Sequence, residues 1–251
     1  MTESGNGRSP ALVVFGGTGF VGTAVLAQAL QLDEDITLLV VSRTGRAPAW
    51  LAQEPVYQTD RLVFLPGDLL NPHTVRESLQ QVTDRYQIVG CISCVGAITP
   101  WSQQNMIRMC GDANINAYRI SREIGARKFA VITRDRSNMD DWWYPFPHII
   151  PGYYAGKRKI ESYVEQDTEN QGNAICIRAG FVAGTRRTIP GLPSWLTVSV
   201  PLSPMYRYLD RLCPSIGVNE LAAAAVRFVL SEQKAASVFV TNDAIPTFFN
   251  N

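Results

Sequence analysis

Histidine is scarce in this sequence, and neither sign of charge predominates. The 251 residues include only two histidines, His73 and His148, and 23 Lys and Arg residues nearly balance 22 Asp and Glu residues, for a net charge of +1. Such a balance gives no basic surface for nucleic acid and no acidic tail. Neither histidine has a partner pattern for metal binding or nucleophilic catalysis, so we interpret both as loop residues and expect no metal site. A small-molecule ligand is therefore favoured.

A long apolar run that could span a membrane is also missing. Residues 9–32 contain no charged side chain, but they hold four glycines, two threonines and two glutamines, and no small-residue cleavage pattern follows them. A strand, a turn and a helix explain this composition better than a membrane span or a signal peptide does. We expect a soluble protein without a recognisable transit peptide, although one already removed would leave no trace.

Cysteine usage favours a reducing compartment. The five cysteines are an odd number, and three of them lie in apolar runs that are typical of buried strands. Cys91 and Cys94 form a C-x-x-C pattern, but a spacing of three along a strand places the two side chains on opposite faces. We therefore expect neither metal binding nor redox chemistry at this pair.

The chain instead contains an alternation of short apolar runs with helix-like stretches. The runs predict strands at residues 11–15, 36–41, 62–65, 88–95, 129–133 and 174–177, and helical spacing predicts helices at residues 20–30, 72–82, 105–124 and 153–169. Strands that alternate with helices form a parallel sheet covered on both faces. The sequence therefore predicts a doubly wound α/β fold, organised as one domain over residues 1–251.

Two stretches interrupt this alternation. Residues 134–152 are rich in Trp, Tyr and Pro, and residues 188–214 are rich in Pro and apolar side chains. Insertions that follow strands of such a sheet lie over its carboxyl edge, where ligands bind. We expect residues 188–214 to cover the ligand or to contact a partner or membrane surface, with packing against the protein's own core as the alternative.

A glycine-rich turn separates the first predicted strand from its helix. It satisfies both G-x-G-x-x-G and G-x-x-G-x-x-G, and it consists of Gly16, Gly17, Thr18, Gly19, Phe20, Val21 and Gly22. Such glycines allow a tight turn, a close approach of the backbone to a pyrophosphate, and close packing of helix on strand, while the helix N-terminus offers N–H groups to the anion. A plain strand-to-helix turn needs only one glycine, so the pattern predicts a dinucleotide site.

The end of the second strand indicates which dinucleotide binds. An NAD-selective site usually carries Asp or Glu there to bind the ribose 2′-hydroxyl, whereas this chain has Ser42, Arg43 and, farther on, Arg46. These donors can bind a 2′-phosphate, so we expect NADP(H) to be preferred over NAD(H). The alternative is that the arginines belong to an ordinary solvated loop.

A candidate catalytic pair lies farther along the chain. Tyr153 and Lys157 are four residues apart, which places them on one face of a helix. A neighbouring ammonium, helped by the charge of a bound cofactor, can lower the pKa of a phenol toward the range useful for acid–base catalysis. An amphipathic helix that happens to contain both residues is the alternative. Thr133 carries the only hydroxyl near the end of the fifth strand, which makes it the candidate third member of the site. In the dehydrogenase family that the sequence resembles, a small hydroxyl-rich turn follows this strand, and the charged residues after Thr133 depart from it.

Taken with the glycine turn, these residues make the sequence similar to the short-chain dehydrogenase/reductase superfamily, in its extended or atypical branch. The likeness extends through the segments 66–69, 91–97, 177–184 and 214–222. It implies a Rossmann fold with a small C-terminal region for substrate or partner. It also implies that Asp68 and Leu69 contact adenine and that Val95, Gly96 and Ala97 border the nicotinamide ribose.

Within that superfamily, residues 152–161 and 178–184 most resemble the group that holds the nucleotide-binding accessory subunit of respiratory complex I and a coenzyme Q biosynthesis accessory protein. The leading hypothesis is an NADP(H)-dependent oxidoreductase that transfers a hydride to or from a small-molecule substrate with Tyr153 as acid/base. The alternative is an NADPH-binding accessory subunit, without turnover, of a mitochondrial or plastid respiratory or quinone-biosynthesis complex. The resemblance favours the mitochondrial matrix, with the plastid or cytoplasm as alternatives.

Overall fold

The computed structural model of the protein describes residues 8–134, 146–186, 198–199 and 215–245. Its strands are β1 (Ser9–Phe15), β2 (Thr37–Ser42), β3 (Leu62–Pro66), β4 (Tyr86–Ser93), β5 (Lys128–Arg134), β6 (Ala174–Ala179), β7 (Phe181–Ala183), β8 (Thr185–Arg186), β9 (Val198–Ser199), β10 (Ser215–Gly217) and β11 (Phe239–Val240). Seven of them form one parallel sheet in the order β11-β6-β5-β4-β1-β2-β3. β7 pairs with β10, and β8 with β9, in two small additional sheets.

Helices connect the strands and cover the sheet. They are α1 (Phe20–Leu32), α2 (Ala49–Ala52), α3 (Pro72–Gln80), α4 (Gln103–Ile107), α5 (Ala113–Glu123), α6 (Phe146–Ile149), α7 (Pro151–Gln166) and α8 (Val218–Leu230). A single π-helical turn, Arg108–Asp112, joins α4 to α5. Short 3₁₀ turns occur at Pro55–Tyr57 and Thr168–Asn170.

The core lies in two layers because the sheet is buried on both faces. Alternate residues of β1 point to opposite sides, so Leu12 and Val14 pack with α1 and α8, whereas Val13 and Phe15 pack with α3, α5 and α7. Strands buried in this way consist of nearly continuous apolar runs. The predicted doubly wound α/β fold is confirmed.

The strand order reverses beside β1, which pairs with β2 on one side and with β4 on the other. The loops that leave β1 and β4 consequently diverge at their carboxyl ends and leave a crevice between them. In open α/β sheets this switch point is where ligands bind. The glycine turn follows β1 directly and therefore lies at this crevice.

The predicted helix over residues 105–124 is present, because α4, the π-helical turn and α5 form continuous helical backbone from Gln103 to Glu123. Other local predictions are wrong. His73 lies in α3 and His148 in α6, so neither is a loop residue. The sequence analysis also did not predict α8 or β11, since the Ala-rich stretch at residues 221–225 and the two-residue β11 give weak periodic signals.

Other predictions lie largely outside the described residues. This holds for residues 188–214, of which the structure describes only β9, and for the middle of the interruption at residues 134–152. Within the described ranges, no helix has the length and apolar character needed to cross a membrane.

Candidate dinucleotide-binding and active site

The glycine turn bends the chain sharply from β1 into α1. Gly16 has a φ of +73°, a conformation that favours glycine, and its N–H donates to the Val41 carbonyl of β2 at 3.3 Å. Gly19 donates to the Gly16 carbonyl at 3.0 Å and accepts from Thr23 at 2.9 Å, the first hydrogen bond of α1. The N–H groups of the first helical turn therefore have no partner earlier in the helix and point out of its N-terminal end, an arrangement suited to an anion.

The glycines of this turn have different physical roles. A Cβ atom on Gly22 would lie 2.1 Å from the Gly16 carbonyl oxygen, and one on Gly17 would lie 2.7 Å from the Val40 Cγ1 atom. These two glycines permit close packing. Gly19 is exposed, and a Cβ atom there would meet only the Gly16 oxygen, at 3.3 Å. Gly19 is thus not required by packing inside the protein, and its lack of a side chain leaves space beside the helix N-terminus.

A second tight turn follows β2. The Gly45 N–H donates to the Ser42 carbonyl at 3.1 Å and to the Ser42 hydroxyl at 3.2 Å, and Gly45 has a φ of +61°. The Ser42 hydroxyl oxygen is the acceptor in this turn, so the hydroxyl hydrogen can still be donated to a ligand. Arg43 and Arg46 are both exposed.

Asp68 lies across a cleft from Arg43. The cleft has a volume of about 780 Å³, and its lining includes Arg43, Gly67, Asp68 and Thr74. The Asp68 carboxylate accepts from the Leu70 N–H at 2.9 Å, and this turn fixes its orientation. Leu69 is buried, so only its backbone can reach a ligand in the cleft.

The structure brings Tyr153 and Lys157 to the carboxyl ends of β4 and β5. The Lys157 ammonium is buried and donates to the Ile132 carbonyl at 2.7 Å and to the Val95 carbonyl at 3.3 Å. It lies 6.0 Å from the centre of the Tyr153 ring. A Cβ atom on Gly96 would lie 3.5 Å from the Lys157 Nζ atom. Lys157 therefore connects Tyr153 to Val95 and Gly96 at the carboxyl end of β4.

Burial raises the pKa of Tyr153 above its ordinary value. Loss of solvation is the largest cause, the nearby Cys110 adds to it, and the Arg134 guanidinium opposes it. The expected lowering of this pKa by Lys157 together with the charge of a bound cofactor concerns the complex with the dinucleotide and stays a prediction. Tyr153 is a protonated phenol at neutral pH and so a proton donor.

Thr133 is buried near the end of β5, and its hydroxyl donates to the Ile177 carbonyl of β6 at 3.4 Å. The next residue, Arg134, donates to the Gly180 carbonyl at 2.7 Å. Both side chains thus contact the segment at the end of β6. The Thr133 hydroxyl is directed to the backbone of a neighbouring strand, and Arg134 takes the place of the small residue of a hydroxyl-rich turn.

The buried Asn114, which the sequence analysis missed, connects the site to α5. Its amide donates to the Cys110 carbonyl at 2.9 Å and to the Val95 carbonyl at 3.1 Å, and its oxygen accepts from the Ser93 hydroxyl at 2.6 Å. Cys110 belongs to the π-helical turn, and such turns are frequent at functional sites. The Val95 carbonyl is shared by Asn114 and Lys157, so the amide helps to hold an acceptor of the ammonium.

Two glycines position the helix that carries the pair. A Cβ atom on Gly152 would lie 2.3 Å from the Gln103 carbonyl oxygen, and one on Gly156 would lie 2.8 Å from the Cys110 Cβ atom. Each glycine precedes one of the paired residues, Tyr153 or Lys157, in the sequence. The two glycines are four residues apart and therefore lie on one face of α7. This spacing was the signal in the sequence that another backbone packs closely against that face.

The C-x-x-C prediction agrees with the packing. Cys91 belongs to the layer with α3, α5 and α7, and Cys94 packs against the layer with α1 and α8. Burial raises the pKa of Cys94 to about 12, which disfavours a thiolate. In the described part of the chain there is no cluster of His, Cys, Asp and Glu side chains able to hold a metal ion.

The parallel sheet, with a glycine turn at its switch point, defines a Rossmann-type α/β protein. Residues 12–129, which include the second half of β1, the glycine turn and β2, match the NAD dependent epimerase/dehydratase family. The match and the fold together support a nicotinamide dinucleotide as cofactor. The chain is also 28% identical over 244 residues to a chloroplastic protein of Arabidopsis thaliana described as uncharacterized, which covers 88% of this chain and 72% of that protein.

Solved structures share the fold at low sequence identity. WbmG of Bordetella bronchiseptica in complex with NAD has a TM-score of 0.64 at 12% identity, over 95% of this chain and 74% of that chain. A UDP-glucose 4-epimerase from Bifidobacterium longum in complex with NAD+ and UDP has a TM-score of 0.65 at 11% identity, over 92% and 77%. A 3-oxoacyl-[acyl-carrier protein] reductase from Brucella melitensis has a TM-score of 0.67 at 13% identity, over 96% and 98%.

Proposed function

We propose that the chain is an NADP(H)-dependent oxidoreductase in which Tyr153 donates or accepts the proton. The observation that carries this proposal is the position of the pair. The buried Lys157 lies beside Val95 and Gly96, Val95 also faces Gly16 of the glycine turn, and the centre of the Tyr153 ring is 6.0 Å from the Lys157 ammonium. A neutral phenol next to a fixed ammonium is suited to protonate a carbonyl oxygen.

The residues at the crevice fit a dinucleotide. In this proposal, the glycine turn accommodates the pyrophosphate, and Asp68 and the Leu69 backbone contact adenine. The part of the site nearest the nicotinamide ribose consists of Val95, Gly96, Ala97, Tyr153 and Lys157. The open space at Gly19 and the free N–H groups at the start of α1 support the pyrophosphate position.

The preference for NADP(H) rests on the end of β2. Arg43 lines the same cleft as Asp68, and the Ser42 hydroxyl is held by its turn with its O–H able to donate. Arg46, also exposed, is a second candidate for the 2′-phosphate. A guanidinium binds phosphate through strong, charge-assisted hydrogen bonds, and residues 42–46 contain no Asp or Glu, the residues typical of an NAD-selective site.

The bound dinucleotide would supply or accept a hydride at its nicotinamide ring. Tyr153 would give its proton to the substrate oxygen in the direction of reduction and take it back in the direction of oxidation. Lys157, held by two carbonyls, would keep a positive charge beside the phenol as negative charge develops on it. Thr133 is retained as a candidate substrate contact, although its hydroxyl donates to the Ile177 carbonyl in this structure.

The second candidate function is NADPH binding without turnover, as an accessory subunit of a larger complex. It is favoured by two observations: the Thr133 hydroxyl is directed to the backbone, and Arg134 takes the place of a small residue. The two functions separate experimentally. Both require NADPH binding, but only the oxidoreductase shows hydride transfer that is lost in Tyr153→Phe while NADPH affinity is kept.

For cellular location we propose the plastid, which the chloroplastic relative supports. The relatives described above do not support the narrower resemblance to the complex I subunit or to the coenzyme Q protein, nor the mitochondrial matrix that it favoured. Import of a fluorescent fusion into isolated chloroplasts and mitochondria tests the location. Accumulation in mitochondria alone would contradict it.

A further inference from the structure

The most exposed large apolar side chains of the described residues lie beside the candidate active site. Trp101 is 85% exposed, Ile98 is 58% exposed and Ile149 is 55% exposed. Ile98 and Trp101 belong to the loop after β4, and Ile149 ends α6, immediately before the helix that carries Tyr153. We refer to these three residues as the apolar rim. Leu32, 41% exposed, lies at the far end of α1, at the opposite edge of the sheet.

Hydrogen bonds hold the two segments of the apolar rim together and next to Tyr153. The Gln103 amide donates to the Pro100 carbonyl at 3.2 Å and to the Ile149 carbonyl at 3.4 Å. Its oxygen accepts from the Gly152 N–H at 2.8 Å, one residue before Tyr153. Ile98 follows Ala97, whose carbonyl accepts from the Cys110 thiol at 3.5 Å. The apolar rim is therefore built into the mouth of the site.

The described segments that carry the apolar rim contain no charged side chain. Residues 94–107 and 149–156 include no Asp, Glu, Lys or Arg. Among the described cations beside these segments, Lys157 and Arg134 donate to the Ile132 and Gly180 carbonyls, at 2.7 Å each, and Arg108 is exposed. The diphosphate of a nucleotide sugar is bound best by cationic side chains, which the apolar rim does not offer. The apolar rim is suited instead to a hydrocarbon group, because contact between them removes the apolar surface of both from water.

We infer that the apolar rim receives the hydrocarbon chain of the substrate, and that the substrate class is a ketone or secondary alcohol with a long alkyl or prenyl chain. The inference rests on the proposed oxidoreductase function and names its substrate. In reduction, the carbonyl carbon gains the hydride of NADPH and the carbonyl oxygen gains the proton of Tyr153. The products are a secondary alcohol and NADP+, and the phenolate regains a proton from solvent.

The test measures the affinity of the NADPH-loaded protein for straight-chain methyl ketones of increasing length by calorimetry. Each buried methylene should lower the Kd about threefold to fourfold until the chain outgrows the apolar rim. In the double variant Trp101→Ser, Ile149→Ser, the Kd should change much less with the length of the ketone chain. Leu32→Ser, which removes an exposed apolar side chain at the opposite edge, is the matched control and should leave it unchanged.

The outcomes separate this inference from the proposed function. Length-dependent binding without hydride transfer would support the substrate class and contradict the oxidoreductase. Turnover of a UDP-sugar, or equal affinity for short and long ketones, would overturn the inference while leaving hydride transfer intact. Binding to phosphatidylcholine vesicles with no dependence on ketone length would also overturn it, because the apolar rim would then be a surface for membranes.

Discussion

At the scale of single residues, Arg43 decides the proposed choice of cofactor. Arg43→Asp should weaken NADPH binding about 5- to 150-fold, because it removes charge-assisted hydrogen bonds worth about 1–3 kcal/mol. NADH binding should improve, since the new carboxylate can accept from a ribose hydroxyl. Titration of both dinucleotides by fluorescence measures the two affinities.

Arg85→Asp is the control for this change. Arg85 is also exposed, but it lies at the opposite edge of the sheet, directly before β4, so both affinities should stay as in the wild type. Equal affinities of the wild type for NADPH and NADH would refute the predicted preference.

Two glycines of the same turn should respond differently to substitution. Gly19→Val should abolish dinucleotide binding in a folded protein, because Gly19 is exposed and its side chain would occupy the space before the helix N-terminus. Gly22→Ala should unfold or strongly destabilise the protein, because its Cβ atom would lie 2.1 Å from a carbonyl oxygen. Thermal unfolding and dinucleotide titration distinguish the two effects. A folded Gly19→Val protein with normal affinity would remove this turn from the binding site.

The raised pKa of Tyr153 has a consequence for pH dependence. An unperturbed tyrosine has a pKa of about 10, so a phenol whose pKa is raised further stays protonated from neutral pH to at least about pH 10. Ketone reduction should therefore be level over this range, while alcohol oxidation, which needs the phenolate, should rise about tenfold per pH unit. Steady-state rates in both directions, with Tyr153→Phe as the inactive control, test this. A plateau of oxidation near pH 8 would mean that the bound dinucleotide lowers the pKa.

At the scale of helices and strands, the packing of α7 on α4 places the catalytic pair. Gly152→Ala should destabilise the protein by about 1–3 kcal/mol, because its Cβ atom would lie 2.3 Å from the Gln103 carbonyl oxygen. Alanine is intrinsically a better helix former than glycine by about 1 kcal/mol. Helix propensity alone would therefore predict a gain in stability, and the close contact reverses its sign. Denaturant unfolding measures the change.

Ser162→Ala also introduces alanine into α7, but at an exposed position, and should leave stability within about 0.5 kcal/mol of the wild type. A Gly152→Ala protein as stable as the Ser162→Ala protein would show that α7 can move away from α4 at little cost.

At the scale of the whole molecule, an ion pair with a buried carboxylate connects α7 to β6, next to the edge strand β11. Glu161 is buried and accepts from Arg178 of β6 at 2.9 Å and 3.3 Å, and Arg178 also lies 3.7 Å from the centre of the Phe239 ring in β11. Glu161→Gln should destabilise the protein by about 3–5 kcal/mol, because the Arg178 charge would lose its partner away from water.

The exposed pair of Arg76 and Glu123 provides the comparison. It joins α3 to α5 at 2.6 Å, but solvent screens it, so Glu123→Gln should cost at most about 1 kcal/mol. Denaturant unfolding of both variants measures the difference. Similar losses for the two substitutions would show that burial of the Glu161 pair adds nothing to its strength.

The sequence by itself determined the architecture of this protein. The apolar runs predicted six of the strands in the main sheet, because strands buried on both faces must be apolar throughout. Helical spacing predicted helices between them. The dense glycines after β1 identified the turn, since only glycine tolerates the φ of Gly16 and the approach of Gly22. The spacing of Tyr153 and Lys157 likewise followed from helix geometry alone.

Only the tertiary structure decided what surrounds those residues. Burial beside Cys110 raises the pKa of Tyr153, although the sequence placed a lysine four residues away. The amide of Asn114 reaches the Val95 carbonyl across the site, and the Thr133 hydroxyl donates to a strand 44 residues farther along the chain. Solvation, charge and hydrogen bonding at each of these groups depend on which elements pack together. Local sequence patterns do not contain that information.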